Sequence, residues 1–121
     1  MRVTISEKEA VAVAAVDSSV LQENVPMLRS RLNQLLEENH RWIVIDLSKA
    51  NYLSSMGVAV IVDIKLKSNR VNGDVKLACV NQLIRSLLDI TNVSRRMDIF
   101  PTVDDAIAAI KKEIAQKEAG G

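Results

Sequence analysis

Apolar residues in this chain come in short blocks separated by polar crossings, and the spacing inside each block predicts its element. Val3 and Ile5 alternate with polar neighbours, and Val11, Val13 and Val16 resume after Glu7-Lys8-Glu9. Alternation on both sides of a polar cluster predicts two short strands paired as a hairpin. Asp17-Ser18-Ser19 then reads as a helix-start cluster, with Glu23 in the following turn. From about Leu21 to Asn39, Leu28, Leu32, Leu35 and Leu36 keep one face apolar, while Arg29, Arg31, Gln34, Glu37 and Glu38 lie elsewhere. Pro26 is tolerated only in the first turn of that helix, so its regular part is expected to begin late.

Trp42 to Leu47 carries the continuous run Ile43-Val44-Ile45, the pattern of a strand buried on both faces. Ser54-Ser55 stands before Gly57-Val58-Ala59-Val60-Ile61-Val62, which predicts a helix over about residues 55–71. Asn72-Gly73-Asp74 is expected to stop it, the glycine taking the left-handed conformation. Val75 to Val80 reads as another buried strand, and Asn81 as the cap of a short helix through Leu83, Ile84, Leu87, Leu88 and Ile90. Asp98-Ile99-Phe100 is a last short strand or extended link before Pro101. Thr102 or Val103 then opens a helix with Ala106, Ile107, Ile110 and Ile114 on one side. The domain is expected to span 1–116, with 117–121 as a frayed tail. Strands separated by helices need crossovers, so the expected architecture is α/β, a mixed and mostly parallel sheet of about five strands carrying about four helices.

Composition narrows the function classes. At 121 residues the chain makes one domain, and 48% hydrophobic with 26% charged residues is a globular mix. A net charge of +1 gives no field for nucleic acid or membrane surfaces. Trp42, Tyr52 and Phe100 are the only aromatics, too few for base stacking. The single cysteine, Cys79, suits a reducing compartment; with neither a membrane-length apolar run nor a leader-like start, a cytoplasmic location is expected.

Few residues carry candidate chemistry. A serine at a helix start can cap an orphan backbone N–H, and an added phosphate there would meet the positive end of the helix dipole. Ser54 and Ser55 therefore read as caps, a switch, or both. Asp46 is expected to end its strand and hold a turn, His40 to sit near a helix end, and Cys79 to be a small core residue. One His and one Cys make no zinc set, so neither metal nor cofactor is expected. A nucleophilic serine needs an adjacent base, and His40 is the only imidazole, so no enzyme is expected either. Val58, Ala59, Val60, Ile61, Val62 and Ile64 make the new helix apolar nearly all round, which predicts spare apolar area for a partner beside the serines.

Five segments in order resemble the sulfate-transporter-and-anti-sigma-antagonist (STAS) domains, and among them the stand-alone bacterial anti-sigma factor antagonists. They are the strand ending in Asp46-Leu47-Ser48, the helix start Tyr52-Leu53-Ser54-Ser55-Met56-Gly57, and the strand entry Asn72-Gly73-Asp74-Val75-Lys76-Leu77. The run Leu83 to Val93 and the tail Ile99-Phe100-Pro101-Thr102-Val103-Asp104-Asp105-Ala106 complete the set. The resemblance covers nearly the whole chain and implies a single domain of that fold. In the antagonists the helix begins with an acidic residue, a phosphorylated serine, a small residue and glycine. By position these places fall to Ser54, Ser55, Met56 and Gly57, so the acceptor and the glycine are kept while Ser54 and Met56 depart. The acceptor implied is Ser55, with Ser54 the alternative. Asp17-Ser18-Ser19 resembles the family's loop near that site in partner complexes, with Ala15 where many members have glycine.

The partner surface implied is Asp17, Ser18, Ser54, Ser55, Met56, Gly57 and Val58. The partners implied are an anti-sigma factor that is also a serine kinase, released when Ser55 is phosphorylated, and a PP2C-like phosphatase. The alternative is a constitutive scaffold subunit of a transport or sensory complex, without a phospho-switch.

Overall fold

The computed structural model describes residues 1–120. Its strands β1 (Val3–Lys8), β2 (Val11–Val16), β3 (Trp42–Asp46), β4 (Asp74–Ala78) and β5 (Ile99–Phe100) form one sheet in chain order. β1 and β2 are antiparallel, and every later strand runs parallel to the one before it. The reason is connectivity. Helices α1 (Val25–Glu37), α2 (Ser55–Arg70) and α3 (Gln82–Ile90) each carry the chain back to the edge where the next strand begins. A fourth helix, α4 (Val103–Ala119), closes the chain.

Alternate residues of the central strands feed two cores. Ile43, Ile45, Val75 and Leu77 pack with Leu28, Leu32, Ile61, Ile64, Ile84 and Leu88 of the first three helices. Trp42, Val44 and Ala78 pack instead with Ala106, Ile107 and Ile110 of α4. Both faces are covered, which is why β3 reads as an unbroken apolar run. It ends at Asp46, one residue short of the sequence expectation, and β4 ends at Ala78 rather than Val80.

Several local expectations are corrected. The hairpin turns at Glu9-Ala10, one step past the predicted Glu7-Lys8-Glu9, with Lys8 paired to Val11 and both turn residues left-handed at φ 53° and 73°. Two positive φ values match the twist of a two-residue hairpin, but L residues resist them at about 1–2 kcal/mol each. Ala10→Gly is therefore expected to stabilise the protein by about 1 kcal/mol, read as a rise of roughly 4 °C in Tm. Asp17-Ser18-Ser19 does not cap α1. A 3-10 turn, Gln22–Asn24, comes first, and Asn24 Oδ1 accepts the Leu21 N–H at 2.8 Å. Pro26 takes the second position of α1, where no intrahelical donor is lost.

Three helices end on asparagine. Asn39, Asn72 and Asn92 hold φ of 69°, 66° and 62° just beyond α1, α2 and α3. After α2 the Gly73 N–H returns to Ser68 O at 2.8 Å and the Asn72 N–H to Asn69 O at 3.2 Å, the double bond of a Schellman ending. Asn72, not Gly73, supplies the left-handed residue. Thr102 caps α4, its Oγ1 accepting the Asp105 N–H at 3.0 Å. That helix continues to Ala119, with the Lys117 ammonium 5.1 Å from the centroid of the Trp42 ring, so regular structure passes residue 116. Of the tail expected to fray, Gly121 lies outside the described residues.

Candidate functional site

The two serines stand at the end of the sheet where β3 delivers the chain to α2. Ser54 has an extended backbone (φ −69°, ψ 161°), and its Oγ accepts the Gly57 N–H at 3.1 Å. It is the N-cap, half-buried. Ser55 is the first residue of α2 and exposed. Among the described residues, its hydroxyl takes part in none of the bonds that hold this region together. The two neighbours therefore differ in chemistry: one oxygen is engaged in ending a helix, the other is presented to solvent.

The approach to Ser55 is built from three separate segments. Val20 and Leu53 form a parallel bridge, with Val20 N–H to Tyr52 O at 2.9 Å and Ser54 N–H to Val20 O at 2.8 Å. Ser19 Oγ accepts two successive backbone donors, Asn51 N–H at 3.1 Å and Tyr52 N–H at 3.0 Å. Asn24 Nδ2 steadies the same loop by donating to Ser19 O at 3.1 Å. From the other side, Asn81 caps α3 through Oδ1, which accepts the Ile84 N–H at 2.8 Å. Its Nδ2 meanwhile donates to Asn51 O at 3.0 Å. Gly57 completes the joint, since a Cβ there would lie 2.8 Å from Val20 Cγ1 and 2.9 Å from Leu53 Cδ1. The glycine lets the first turn of α2 settle against the bridged loops.

Of the residues assigned to a partner surface, Asp17, Ser55 and Met56 are exposed, and Ser18 and Ser54 are half-buried. Gly57 and Val58 lie beneath that surface, buried, and so are Val60, Ile61 and Ile64. The spare apolar face expected along α2 is largely consumed by the core. The large apolar side chains that remain open on the stitched loops and helix start are Leu21 at 40%, Tyr52 at 44% and Met56 at 47% exposure. Asp17 is tied to the residue before β1 rather than to a helix: its Oδ1 accepts the Arg2 N–H at 2.7 Å, a bond that holds its carboxyl below the usual range.

The remaining candidates stand elsewhere. Asp46 Oδ1 accepts the Ser48 N–H at 3.0 Å, holding the turn after β3 as expected. His40 Nε2 lies 3.0 Å from Glu7 Oε1, at the entry end of β3 and so across the sheet from Ser55. Cys79 falls just past β4 in a left-handed conformation (φ 63°) and half-buried, not inside a strand. Burial first and the Asp46 carboxylate second push its thiol pKa up. Among the described residues, Asp74, Asp98 and Glu113 bring carboxylate oxygens within 4.8 Å of one another. The Lys76 ammonium sits among them, bonded to all three.

Sequence reasoning named Ser19 only within the Asp17-Ser18-Ser19 cluster and missed its bonds to Asn51 and Tyr52, as it missed the amide of Asn81, because bonds across some 30 positions leave no mark in local spacing. Leu21 and Tyr52 had a signal: each is a large apolar residue inside a polar crossing.

The family model of the STAS domain matches residues 2–106. BtrV of Bordetella bronchiseptica, whose name makes it a candidate anti-sigma factor antagonist, is 24% identical over 109 residues, 90% of this chain and 91% of its own. A crystal structure of an anti-sigma factor antagonist from Mycobacterium paratuberculosis superposes with a TM-score of 0.84 at 21% identity, over 91% of this chain and 93% of that one. SpoIIAA, the Bacillus cell-fate determinant, in its phosphorylated form gives a TM-score of 0.71 at 14% identity, over 90% and 99% of the two chains. No helix among the described residues is long and apolar enough to cross a membrane.

Proposed function

The chain belongs to the STAS domain family, and from that premise we propose that it is a cytoplasmic anti-sigma factor antagonist switched by phosphorylation of Ser55. Unmodified, it binds an anti-sigma factor that is also a serine kinase, and sigma is freed. The kinase uses its own ATP to esterify Ser55, binding is lost, and a PP2C-like phosphatase restores it. The protein supplies a hydroxyl and a docking face and performs no catalysis itself. Relatives named anti-sigma factor antagonists support the role, and SpoIIAA has a phosphorylated form of the same fold. The observation that carries the reading is the split between the serines: Ser54 engaged in the cap, Ser55 exposed at the first position of α2.

The energetics fit an interface switch. A phosphate on Ser55 adds about −1.5 to −2 charges beside the exposed Met56. The helix N-terminus stabilises that charge by only a few tenths to about 1 kcal/mol, and since the hydroxyl is already solvated, the domain need not refold. A partner that buries the same patch must desolvate the phosphate. A penalty of roughly 3 kcal/mol weakens binding about a hundredfold.

Two measurements test this. The protein incubated with ATP and an extract of its source cells is expected to gain one phosphate, mapped to Ser55 by mass spectrometry and absent from Ser55→Ala. Calorimetric titration with the purified anti-sigma factor kinase is then expected to show a Kd about a hundredfold weaker for the phosphorylated protein. Phosphate that persists in Ser55→Ala, or equal affinity of the two forms, refutes the switch.

A further inference from the structure

We propose that Ser19 and Asn81 are positioning residues that grip the Asn51 peptide from opposite sides and so fix the Tyr52–Ser54 approach from which Ser55 is presented at the first position of α2. The role rests on the reading of Ser55 given above. The grip is specific in its chemistry. A hydroxyl oxygen has two acceptor sites, and Ser19 Oγ fills both with the consecutive N–H groups of Asn51 and Tyr52 at 3.1 and 3.0 Å. Two successive backbone donors converging on one point make a concavity suited to a single acceptor, and here a side chain from 32 positions earlier occupies it. On the far side the Asn51 carbonyl accepts from Asn81 Nδ2 at 3.0 Å. One peptide of the β3–α2 loop is thus tied to the β2–α1 loop and to the start of α3.

These bonds lie at the surface, so water can replace each of them at little cost to the folded state. They are therefore weak as stability devices. Their effect is geometric: only Leu53 and Ser54 lie between the gripped Tyr52 and Ser55, which carries the reacting hydroxyl. A displacement of about 1 Å in a reacting group can cost on the order of a hundredfold in rate. Asn81 further joins the grip to a cap, because its Oδ1 holds the Ile84 N–H while its amide holds Asn51. The two uses separate by substitution: Asn81→Asp keeps the capping oxygen and loses the donor.

The test compares wild type, Ser19→Ala, Ser19→Thr and Asn81→Asp, with Glu23→Ala as a surface control. Hydrogen exchange of the Asn51 and Tyr52 amides, followed by NMR, is expected to quicken about tenfold in Ser19→Ala, the loss of one modest hydrogen bond per amide. The other amides should keep their rates. At a temperature well below Tm, kcat/KM for phosphate transfer to Ser55 by the ATP-supplied extract is expected to fall about tenfold in Ser19→Ala and in Asn81→Asp. Ser19→Thr, which keeps the hydroxyl, should restore both readouts, and Glu23→Ala should move neither. Unchanged exchange in Ser19→Ala overturns the grip. Faster exchange with a wild-type rate of phosphorylation overturns the positioning role alone. A wild-type protein that takes no phosphate overturns the reading of Ser55 and this role with it.

Discussion

Lys76→Ala is expected to destabilise the fold by about 3–5 kcal/mol, the cost of leaving buried charge without its partner. Lys76 is 1% exposed and belongs to the α4 side of β4, where its ammonium meets Asp74 at 3.1 Å, Asp98 at 2.6 Å and Glu113 at 3.1 Å. Burial by itself would lower the ammonium's pKa, but hydrogen bonds from the lysine to Asp98, Asp74 and Glu113 outweigh it and raise the value well above the ordinary one. Asp74 shows the mirror case: burial raises its pKa, while bonds from Lys65, Asn69, the Val75 N–H and Lys76 bring it below the usual carboxylate value. Removal of the cation leaves three carboxylates facing one another.

Asp98 is 63% exposed and can be hydrated, so the loss should fall near the lower end. About 3 kcal/mol corresponds to a drop of roughly 12 °C in Tm. Millimolar Ca²⁺ is expected to recover part of that loss in Lys76→Ala and to leave wild type unmoved, since only the variant exposes the carboxylate trio to a cation. Acid should act in the same direction on wild type. A carboxyl whose pKa is depressed on folding contributes stability above its unfolded pKa and loses it as pH falls through the folded value. The acid limb of a stability–pH curve should therefore be shallower in Lys76→Ala. A variant as stable as wild type would show that the trio is fully solvated.

Gly73→Ala is expected to cost about 3 kcal/mol or more, at the high end of overpacking, although the residue is not left-handed. A Cβ on Gly73 would lie 1.9 Å from the Arg41 carbonyl oxygen, a backbone atom that cannot swing aside as a side chain can. That same oxygen accepts the Asp74 N–H at 3.0 Å, immediately before Trp42 pairs with Asp74. Relief of the clash therefore parts β3 from β4 where their pairing begins. Asn72 gives the contrast: it holds the positive φ, so Asn72→Gly should be close to neutral and Asn72→Ala should lose about 1 kcal/mol. Urea denaturation of the three variants separates the explanations. If Gly73 served as the left-handed residue instead, Gly73→Ala would lose only about 1–2 kcal/mol and Asn72→Ala would be close to neutral.

The misplacement of that glycine shows where sequence reading stops. Asn-Gly after an amphipathic run announces a helix stop correctly, because both residues tolerate positive φ, but nothing local says which one adopts it. The decision lies with Arg41, more than 30 positions earlier, whose carbonyl leaves no room for a side chain. The reading of Asp17-Ser18-Ser19 as a helix cap failed in the same way. Those polar groups were free to bond across the chain, and they found Arg2, Asn51 and Tyr52 in place of helix donors. Asn81 was legible as a cap, and Thr102 as one of two residues that could open α4, because their partners are three residues away.

What the sequence settled unaided were the features of short range and repeated period: the order of strands and helices, the parallel sheet that crossovers impose, and the two serines at a helix start. Hydrophobic periodicity is written residue by residue, and helix caps reach only one turn. The tertiary structure alone decided which serine is engaged and which is open, and that Gly57 and Val58 are buried beneath the proposed docking face. It also decided that Leu21, Tyr52 and Met56 remain on that face and that Lys76 is held among three carboxylates. Each of those outcomes depends on which distant segments meet, and that is set by the packing of whole faces rather than by neighbours in the chain.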